Sequence, residues 1–181
     1  MRILVLCEGS DEESLINILL DSNKLEFTRD ALIGRRVYPL RNLKNPTIIS
    51  ELQSYGDKVE VYRIGDTQNE NLRIPNELKD IVSKDRIFKY CTKPELEILY
   101  IINENKVSEF NKSNKKPSSF AKEKIKYNGR KYTKDTGFIK EYFKENRVIN
   151  LINSIKEYKR IKKGSHNKDE MFLADLLKKG L

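Results

Sequence analysis

An uninterrupted apolar run near the start of the chain is followed at once by polar residues that favour a turn and a helix. The run covers residues 3–7, which predicts a short strand buried on both faces, as at the centre of a parallel sheet. It ends at Glu8 and Gly9, and Ser10 with Glu13 forms a capping box that predicts a helix start. Open α/β sheets bind their ligands in such strand-to-helix turns, so Glu8 is the first candidate functional residue.

The same pattern continues along the chain. Strands are predicted at residues 36–40, 59–64 and 86–91, and helices at residues 46–55, from Pro75, at 92–111, 120–125, 138–144, 148–162 and 168–179. The segment Thr92-Lys93-Pro94-Glu95 has the strongest helix-start signal, with a capping threonine, an early proline and a capping-box glutamate. Strands that alternate with helices imply βαβ units, so we expect an α/β fold with a mostly parallel, Rossmann-like sheet flanked by helices.

The composition changes after residue 111, where Lys, Ser, Asn, Pro and Gly become frequent. We therefore expect an α/β domain at residues 1–111, with a basic loop and helical C-terminal extension at residues 112–181 packed on it. Residues 1–100 carry 15 basic and 17 acidic side chains, whereas residues 101–181 carry 21 and 10. This asymmetry indicates a polyanion that lies across the basic part while chemistry occurs among the acids. The alternative is that lysine-rich helices only keep the protein soluble.

Several function classes are excluded by the residue inventory. His166 is the single histidine, which argues against zinc–histidine sites and Ser-His-Asp catalysis, and we expect it in a surface loop. Cys7 and Cys91 lie in apolar runs and are expected to be buried free thiols. The chain has neither a membrane-length apolar run nor a signal-peptide pattern, so we expect a cytoplasmic protein without membrane contact.

Three carboxylates are predicted at equivalent points of the sheet. Glu8 and Asp66 each follow a strand, and Glu97 lies in the first helical turn after a third strand. The carboxyl ends of parallel strands lie side by side, so these acids are expected to meet in one cleft. Acids so close repel one another unless a divalent cation lies between them, and carboxylates with water suit Mg²⁺.

Each of these acids also has a purely structural interpretation. Glu8 can be a turn residue, Gly65-Asp66 is ordinary turn chemistry, and Glu97 is favoured by the helix dipole. Glu95 is better explained as a helix cap. Glu12 is better explained as a helix-start acid, which could also contact the metal ligands without binding the metal itself.

This arrangement resembles the Toprim fold of topoisomerases, primases and certain nucleases. The matching residues are the apolar strand into Cys7-Glu8-Gly9 with Asp11-Glu12 following, and the strand ending Ile64-Gly65-Asp66. Residues 92–97 are similar to the Pro-x-x-Glu element of RloB-like and OLD-type Toprim nucleases. Over roughly residues 1–110, the resemblance implies that Glu8 and Asp66 are metal ligands and Glu97 a third catalytic acid. The lysine-rich tail is also similar to that of RloB-like proteins.

One position departs from the family. The usual pattern is Asp-x-Asp, whereas Asp66-Thr67-Gln68 has a glutamine at the third position. Gln68 would then ligate the metal through its carbonyl oxygen, or Glu70 would replace it. A chain that binds nucleic acid without cutting it is the other consequence of this departure.

The basic half supplies candidate contacts to nucleic acid. Residues 105–134 hold ten Lys or Arg and two acids, with Phe120, Tyr127 and Tyr132 interleaved as rings on which bases could stack. A second basic cluster covers residues 158–163. The candidate nucleic-acid-binding residues are Lys115, Lys116, Lys122, Lys126, Arg130, Lys131 and Lys134. A solvated loop is the structural alternative.

Two functions follow from these observations. The first is a Toprim-type nuclease that depends on Mg²⁺ or Mn²⁺, cuts phosphodiester bonds in DNA or RNA, and serves phage defence or a mobile element. The second is a degenerate Toprim module that binds nucleic acid or a partner protein without catalysis. A topoisomerase or primase would need further domains. The sequence leaves open a regulatory partner protein and a homo-oligomer.

Overall fold

The computed structural model of the protein describes residues 2–56, 58–66 and 72–181. The strands are β1 (Arg2–Cys7), β2 (Tyr38–Pro39), β3 (Val59–Gly65), β4 (Ile87–Cys91), β5 (Lys126–Tyr127), β6 (Arg130–Lys131) and β7 (Glu170–Phe172). The α-helices are α1 (Ser10–Asp21), α2 (Pro46–Ser54), α3 (Ile98–Asn103), α4 (Val107–Lys112), α5 (Pro117–Lys124), α6 (Thr136–Tyr142) and α7 (Val148–Lys162). Short 3₁₀ helices cover Arg29–Ala31, Ile33–Arg35, Leu40–Lys44, Asn76–Leu78, Lys84–Arg86, Glu145–Arg147 and Leu173–Leu176.

Five strands form one sheet in the order β2-β1-β3-β4-β7, and every neighbouring pair is parallel. Helices flank this sheet, so the prediction of an α/β fold with a parallel sheet is confirmed, and the arrangement is consistent with a Rossmann-like fold. Strands β5 and β6 form a separate antiparallel hairpin. Its two-residue turn has positive φ at Asn128 (47°) and Gly129 (77°), as the preferred two-residue hairpin turns require.

Strand β1 is buried on both faces, as its apolar run predicts. Ile3 and Val5 belong to a large core cluster with α1, α3 and α5–α7, whereas Leu4 and Leu6 belong to a smaller cluster with α2. Alternation along the strand thus divides the side chains between two layers. In the described part of the chain, no helix is both long and apolar enough to cross a membrane.

The large core joins the N-terminal and C-terminal parts of the chain. Tyr100 in α3 contacts the rings of Tyr132, Phe138, Tyr142 and Phe143, with ring centroids 4.9–5.7 Å apart. Strand β7 also comes from the C-terminal part and extends the sheet beside β4. The division at residue 111 stays a prediction, but the core and the sheet both continue across it.

Both predicted capping boxes are absent. Gly9 is the N-cap residue of α1 and makes no side-chain cap. Helix α3 begins six residues after Thr92, because the Thr92 hydroxyl donates to Asp66 Oδ1 (3.3 Å) instead of capping a helix. Tertiary contacts have replaced the local hydrogen bonds that the sequence pattern favours.

Three helix predictions need correction. The predicted helix 92–111 is divided into α3 and α4 around Asn105, which has a positive φ of 54°. The helix expected from Pro75 is a single 3₁₀ turn. The helix expected at 168–179 is instead β7 and a 3₁₀ turn, because this segment hydrogen-bonds to the free side of β4.

We predict that α7 is part of the core and not an appendage. Leu151 is fully buried in α7, so Leu151→Ala should lower the free energy of unfolding by about 2–5 kcal/mol. Ile149 on the same helix is 54% exposed, and Ile149→Ala should change it by less than about 0.5 kcal/mol. Urea unfolding measures both variants, and equal effects would contradict the prediction.

Candidate acidic site

Glu8 lies at the carboxyl end of β1, directly beside the end of β3. Its backbone N–H donates to the carbonyl of Ile64 (2.9 Å), which extends the β1–β3 pairing by one residue. Its carboxylate lies against Gly65, where a Cβ would stand only 2.2 Å from Glu8 Oε2. A glycine at position 65 therefore makes room for the Glu8 side chain over β3.

Asp66 follows Gly65 at the end of β3 and is half-buried. The Thr92 hydroxyl, at the end of β4, donates a hydrogen bond to its carboxylate. The backbone N–H of Thr92 also donates to the Gly65 carbonyl (3.1 Å), so the ends of β3 and β4 are held together. Asp66 is thus fixed between two neighbouring strands.

Glu97 is the N-cap residue of α3 and only 2% exposed. The Tyr132 hydroxyl donates to Glu97 Oε1 at 2.8 Å, and Lys134 Nζ lies 3.7 Å from the same oxygen. Both partners come from the segment after the β5–β6 hairpin. The C-terminal part of the chain therefore supplies the groups that satisfy this buried carboxylate.

Two further acids from the first turn of α1, Asp11 and Glu12, belong to the cluster. The sequence pattern indicated Glu12 as a supporting residue and gave Asp11 no role of its own. Asp11 and Glu12 are 8% and 7% exposed. Asp11 Oδ1 is buried and has no hydrogen-bond partner among the described residues. A helix-start acid normally points to solvent, so burial in the fold is the observation that separates these two acids from ordinary ones.

The charges of these acids act on one another. The pKa of Asp66 is raised to about 7, first by burial and then by Glu12, Glu97 and Glu8. Burial likewise raises the pKa of Asp11, with Glu97 adding to the effect, and the pKa of Glu12, with Asp11 and Glu8 adding to it. These couplings bring Glu8, Asp66 and Glu97 into one electrostatic cluster, which we call the acidic site, together with Asp11 and Glu12.

Lys134 is the cation that faces the acidic site. Its pKa is raised by Glu97 first, and also by Asp66, Glu12 and Glu95. Lys134 is exposed, so it can move away from the carboxylates without loss of core packing. Its charge offsets only part of the negative charge of the acidic site.

The donor chemistry of the acidic site suits a hard divalent cation, since Glu8, Asp66 and Glu97 all offer carboxylate oxygens. Asp11 Oδ1, buried and without a partner, has a free acceptor position of the kind such an ion would satisfy. Among the residues that the structure describes, no three Asp, Glu, His or Cys side chains are already arranged around a common metal position. Gln68 and Glu70, the remaining candidate ligands, lie outside the described residues.

Glu95 has a structural role that differs from the predicted cap of its own helix. Its carboxylate accepts a hydrogen bond from the backbone N–H of Ser118 (2.8 Å), in the first turn of α5. Glu95 therefore holds α5 against the turn that precedes α3.

The predicted nucleic-acid-binding residues are all exposed, and some are engaged in ion pairs. Lys115 pairs with Glu123, and Arg130 pairs with Asp135 (2.8 Å) and Glu141 (3.5 Å). The exposed residues are Lys115, Lys116, Lys122, Lys126, Arg130, Lys131 and Lys134. Contact with nucleic acid stays a prediction for all seven.

The aromatic side chains among them do not form the expected stacking surface. Phe120 and Tyr132 are 1% and 3% exposed, because both rings fill the large core. Tyr127 is half-buried, and the Arg147 guanidinium covers its ring at 4.6 Å. His166 is half-buried and stacks on Phe172, with Nε2 2.9 Å from the Tyr158 hydroxyl.

Comparison with known proteins adds no relative: no family model, no curated protein and no solved structure matches this chain. Fold and site therefore define its class. It is an α/β protein with a five-stranded parallel sheet and an acidic site at the carboxyl ends of β1, β3 and β4.

We predict that the metal-free protein loses stability as the pH rises. The folded-state pKa of Asp66 is about 7 and its usual value is 3.8, so the folded state binds the proton more tightly. The free energy of unfolding should then fall between these two pH values and stay low above the upper one. Thermal unfolding in EDTA should show Tm lower by about 3 °C or more at pH 8 than at pH 5.

Asp66→Asn is the control for this pH dependence, because its amide does not titrate. The difference in Tm between wild type and Asp66→Asn isolates Asp66 from other titrating groups such as His166. A wild-type Tm that follows the same pH profile as Asp66→Asn would contradict the prediction.

A second prediction concerns the Tyr132 hydroxyl. Tyr132→Phe removes the donor to Glu97 and should lower the free energy of unfolding by about 1.5–3 kcal/mol, as for hydrogen bonds to charged groups. Tyr127→Phe, in the adjoining hairpin, should change it by less than about 0.5 kcal/mol. Urea unfolding near neutral pH compares the two variants. A free energy of unfolding for Tyr132→Phe equal to that of the wild type would show that this hydrogen bond does not stabilise the fold.

Proposed function

We propose that the protein is a metal-dependent nuclease of the Toprim type. The observation that carries the proposal is that Glu8 and Asp66 lie at the carboxyl ends of the neighbouring strands β1 and β3, with the charge of Glu97, the N-cap residue of α3, acting on Asp66. Such a cluster of acids destabilises the metal-free fold. Destabilising groups of acids with shifted pKa values are typical of functional sites.

In this proposal Glu8, Asp66 and Glu97 hold Mg²⁺ or Mn²⁺, with Gln68 as a further ligand. When bound, the ion polarises a phosphate oxygen and lowers the pKa of an attacking water. Asp11 and Glu12 add negative charge behind the ligands and bias them towards a bound cation. Lys134, which now pairs with Glu97, would pair with a phosphate of the substrate instead.

Nucleic acid is the proposed substrate because the net charge of +9 is concentrated after residue 100. The resemblance to RloB-like and OLD-type proteins adds the proposal that the nuclease acts in phage defence or in a mobile element. DNA and RNA fit the chemistry equally well.

A second candidate is a module that binds nucleic acid without cutting it. The ion pair between Lys134 and Glu97 favours this candidate, since a lysine already supplies positive charge where the metal is proposed. A binder needs no Mg²⁺, and its affinity falls with salt over the whole range.

We expect the wild type to cut single-stranded or duplex DNA or RNA when Mg²⁺ or Mn²⁺ is present and to stop in EDTA. Glu8→Gln removes a charged ligand and should lower the cleavage rate by at least about 100-fold. Gel assays with end-labelled substrates measure the rate. Tm should rise with added Mg²⁺ in the wild type and much less in Glu8→Gln.

Glu77→Gln is the matched control, because Glu77 is exposed on the 3₁₀ turn Asn76–Leu78, away from the acidic site. It should cut and bind Mg²⁺ like the wild type. Tight, salt-sensitive binding with no cutting in either metal would reject the nuclease and favour the binding module.

A further inference from the structure

A basic groove lies on the face of the sheet that carries the smaller core cluster. It consists of two adjoining cavities of about 840 Å³ and 260 Å³, which share Leu72 and Lys84 in their walls. The cations that line them are Arg63, Arg73, Lys79, Lys84 and Lys89. Among the described lining residues, Asp169 is the single acid, and it pairs with Lys89 at 2.6 Å.

The strand register explains how charge reaches this face. Val59 and Val61 pack into the smaller core cluster, and Arg63 continues the same side of β3 two residues later. Arg63 is directly paired with Lys89 of β4, so their side chains are neighbours on one face. Arg63 is only 5% exposed, which places a guanidinium at the floor of the groove.

The groove leads towards the acidic site. Gly65 follows Arg63 by two residues on the same side of β3, and the Glu8 carboxylate lies against Gly65. Two residues of a strand span about 7 Å, close to the spacing of successive phosphates along a nucleic-acid strand. A phosphate at Arg63 and Lys89 would thus have a neighbour near Glu8.

We infer that this groove binds a single strand of nucleic acid and guides it to the acidic site. Cations would hold the phosphates, while the half-buried side chains of Leu72 and Ile74 in the apolar wall would contact the bases. A cavity of about 840 Å³ accommodates one ligand the size of a nucleotide, which suits one strand better than a duplex. The inference deepens the proposed function. It rests on that function only for the statement that the bound nucleic acid leads to the acidic site.

The groove differs in charge balance from the predicted C-terminal contacts. In residues 112–135, Lys115 and Arg130 already pair with neighbouring acids, and Lys134 pairs with Glu97. Arg73 and Lys84 are exposed at the rim of the groove, where Asp169 alone among the described lining residues opposes the cations. Arg73 and Lys84 are therefore accessible to the phosphates of a bound strand.

The test is binding of a labelled single-stranded oligonucleotide about 12 nucleotides long, as DNA and as RNA, in EDTA so that no cleavage occurs. The groove variant Arg73→Glu/Lys84→Glu should bind at least about tenfold more weakly than the wild type, with a shallower salt dependence. The matched control Lys44→Glu/Lys179→Glu makes the same charge change at exposed positions that belong neither to the groove nor to the predicted C-terminal contacts, and it should change affinity less than about threefold. All four positions are exposed, and circular dichroism checks that both variants are folded.

Each outcome decides the inference. Equal loss in both variants, loss in the control alone, tighter binding of the matching duplex, or no binding by the wild type would overturn it. A wild type that binds through the groove but never cuts supports the inference and rejects the nuclease. A wild type that cuts while the groove variant binds normally rejects the inference and leaves the nuclease in place.

Discussion

Repulsion among the carboxylates at the ends of β1, β3 and β4 is the constraint on which the rest of the structure depends. Parallel pairing places these ends side by side, so the acids that follow the strands share one small region. Burial raises the pKa of Asp66 to about 7, and the charges of Glu12, Glu97 and Glu8 add to this effect, so the region disfavours further negative charge. The fold relieves part of the repulsion with hydrogen-bond donors and one lysine, which come from distant parts of the chain.

The partners that reduce this repulsion at Glu97 come from the C-terminal part of the chain, which is therefore packed within the domain. Tyr132 and Lys134 reach Glu97 from the segment between the β5–β6 hairpin, which contacts α5, and α6, which packs against α1 and against Tyr100 of α3. The ring of Tyr132 fills the core while its hydroxyl satisfies the acid, so one side chain links core packing to the acidic site. A mutation in this core should therefore disturb the acids as well as the stability.

The two faces of the sheet have different chemistry for a related reason. Towards the large core, β3 and β4 present Tyr62, Ile64 and Tyr90, which need apolar partners. On the opposite side, the pattern changes from Val61 to Arg63 just before the carboxyl edge. The apolar layer therefore ends where the basic groove begins, and positive charge lies next to negative charge at this edge of the sheet.

Local pattern by itself determined β1–β4 and most helices. The apolar run of β1 can only be buried on both faces, and α7 was predicted with the bounds observed, because such patterns depend on neighbours in sequence. Two acids of the acidic site were also predictable from the sequence, since Glu8 and Asp66 follow strands whose parallel order the βαβ pattern implies. The turn at Asn128-Gly129 was visible for the same reason, because two residues decide its geometry.

Tertiary structure alone decided the partners of these elements. Thr92 has the signature of a helix cap, yet its hydroxyl donates to Asp66, because β3 and β4 bring that carboxylate within reach. Residues 168–179 have helical spacing, yet the unpaired side of β4 draws residues 170–172 into the sheet. Tyr132 likewise contacts Glu97 and Tyr100, 35 and 32 positions away in the sequence, and the charge of Glu97 acts on Asp11, 86 positions away. Such contacts leave no local trace in a sequence.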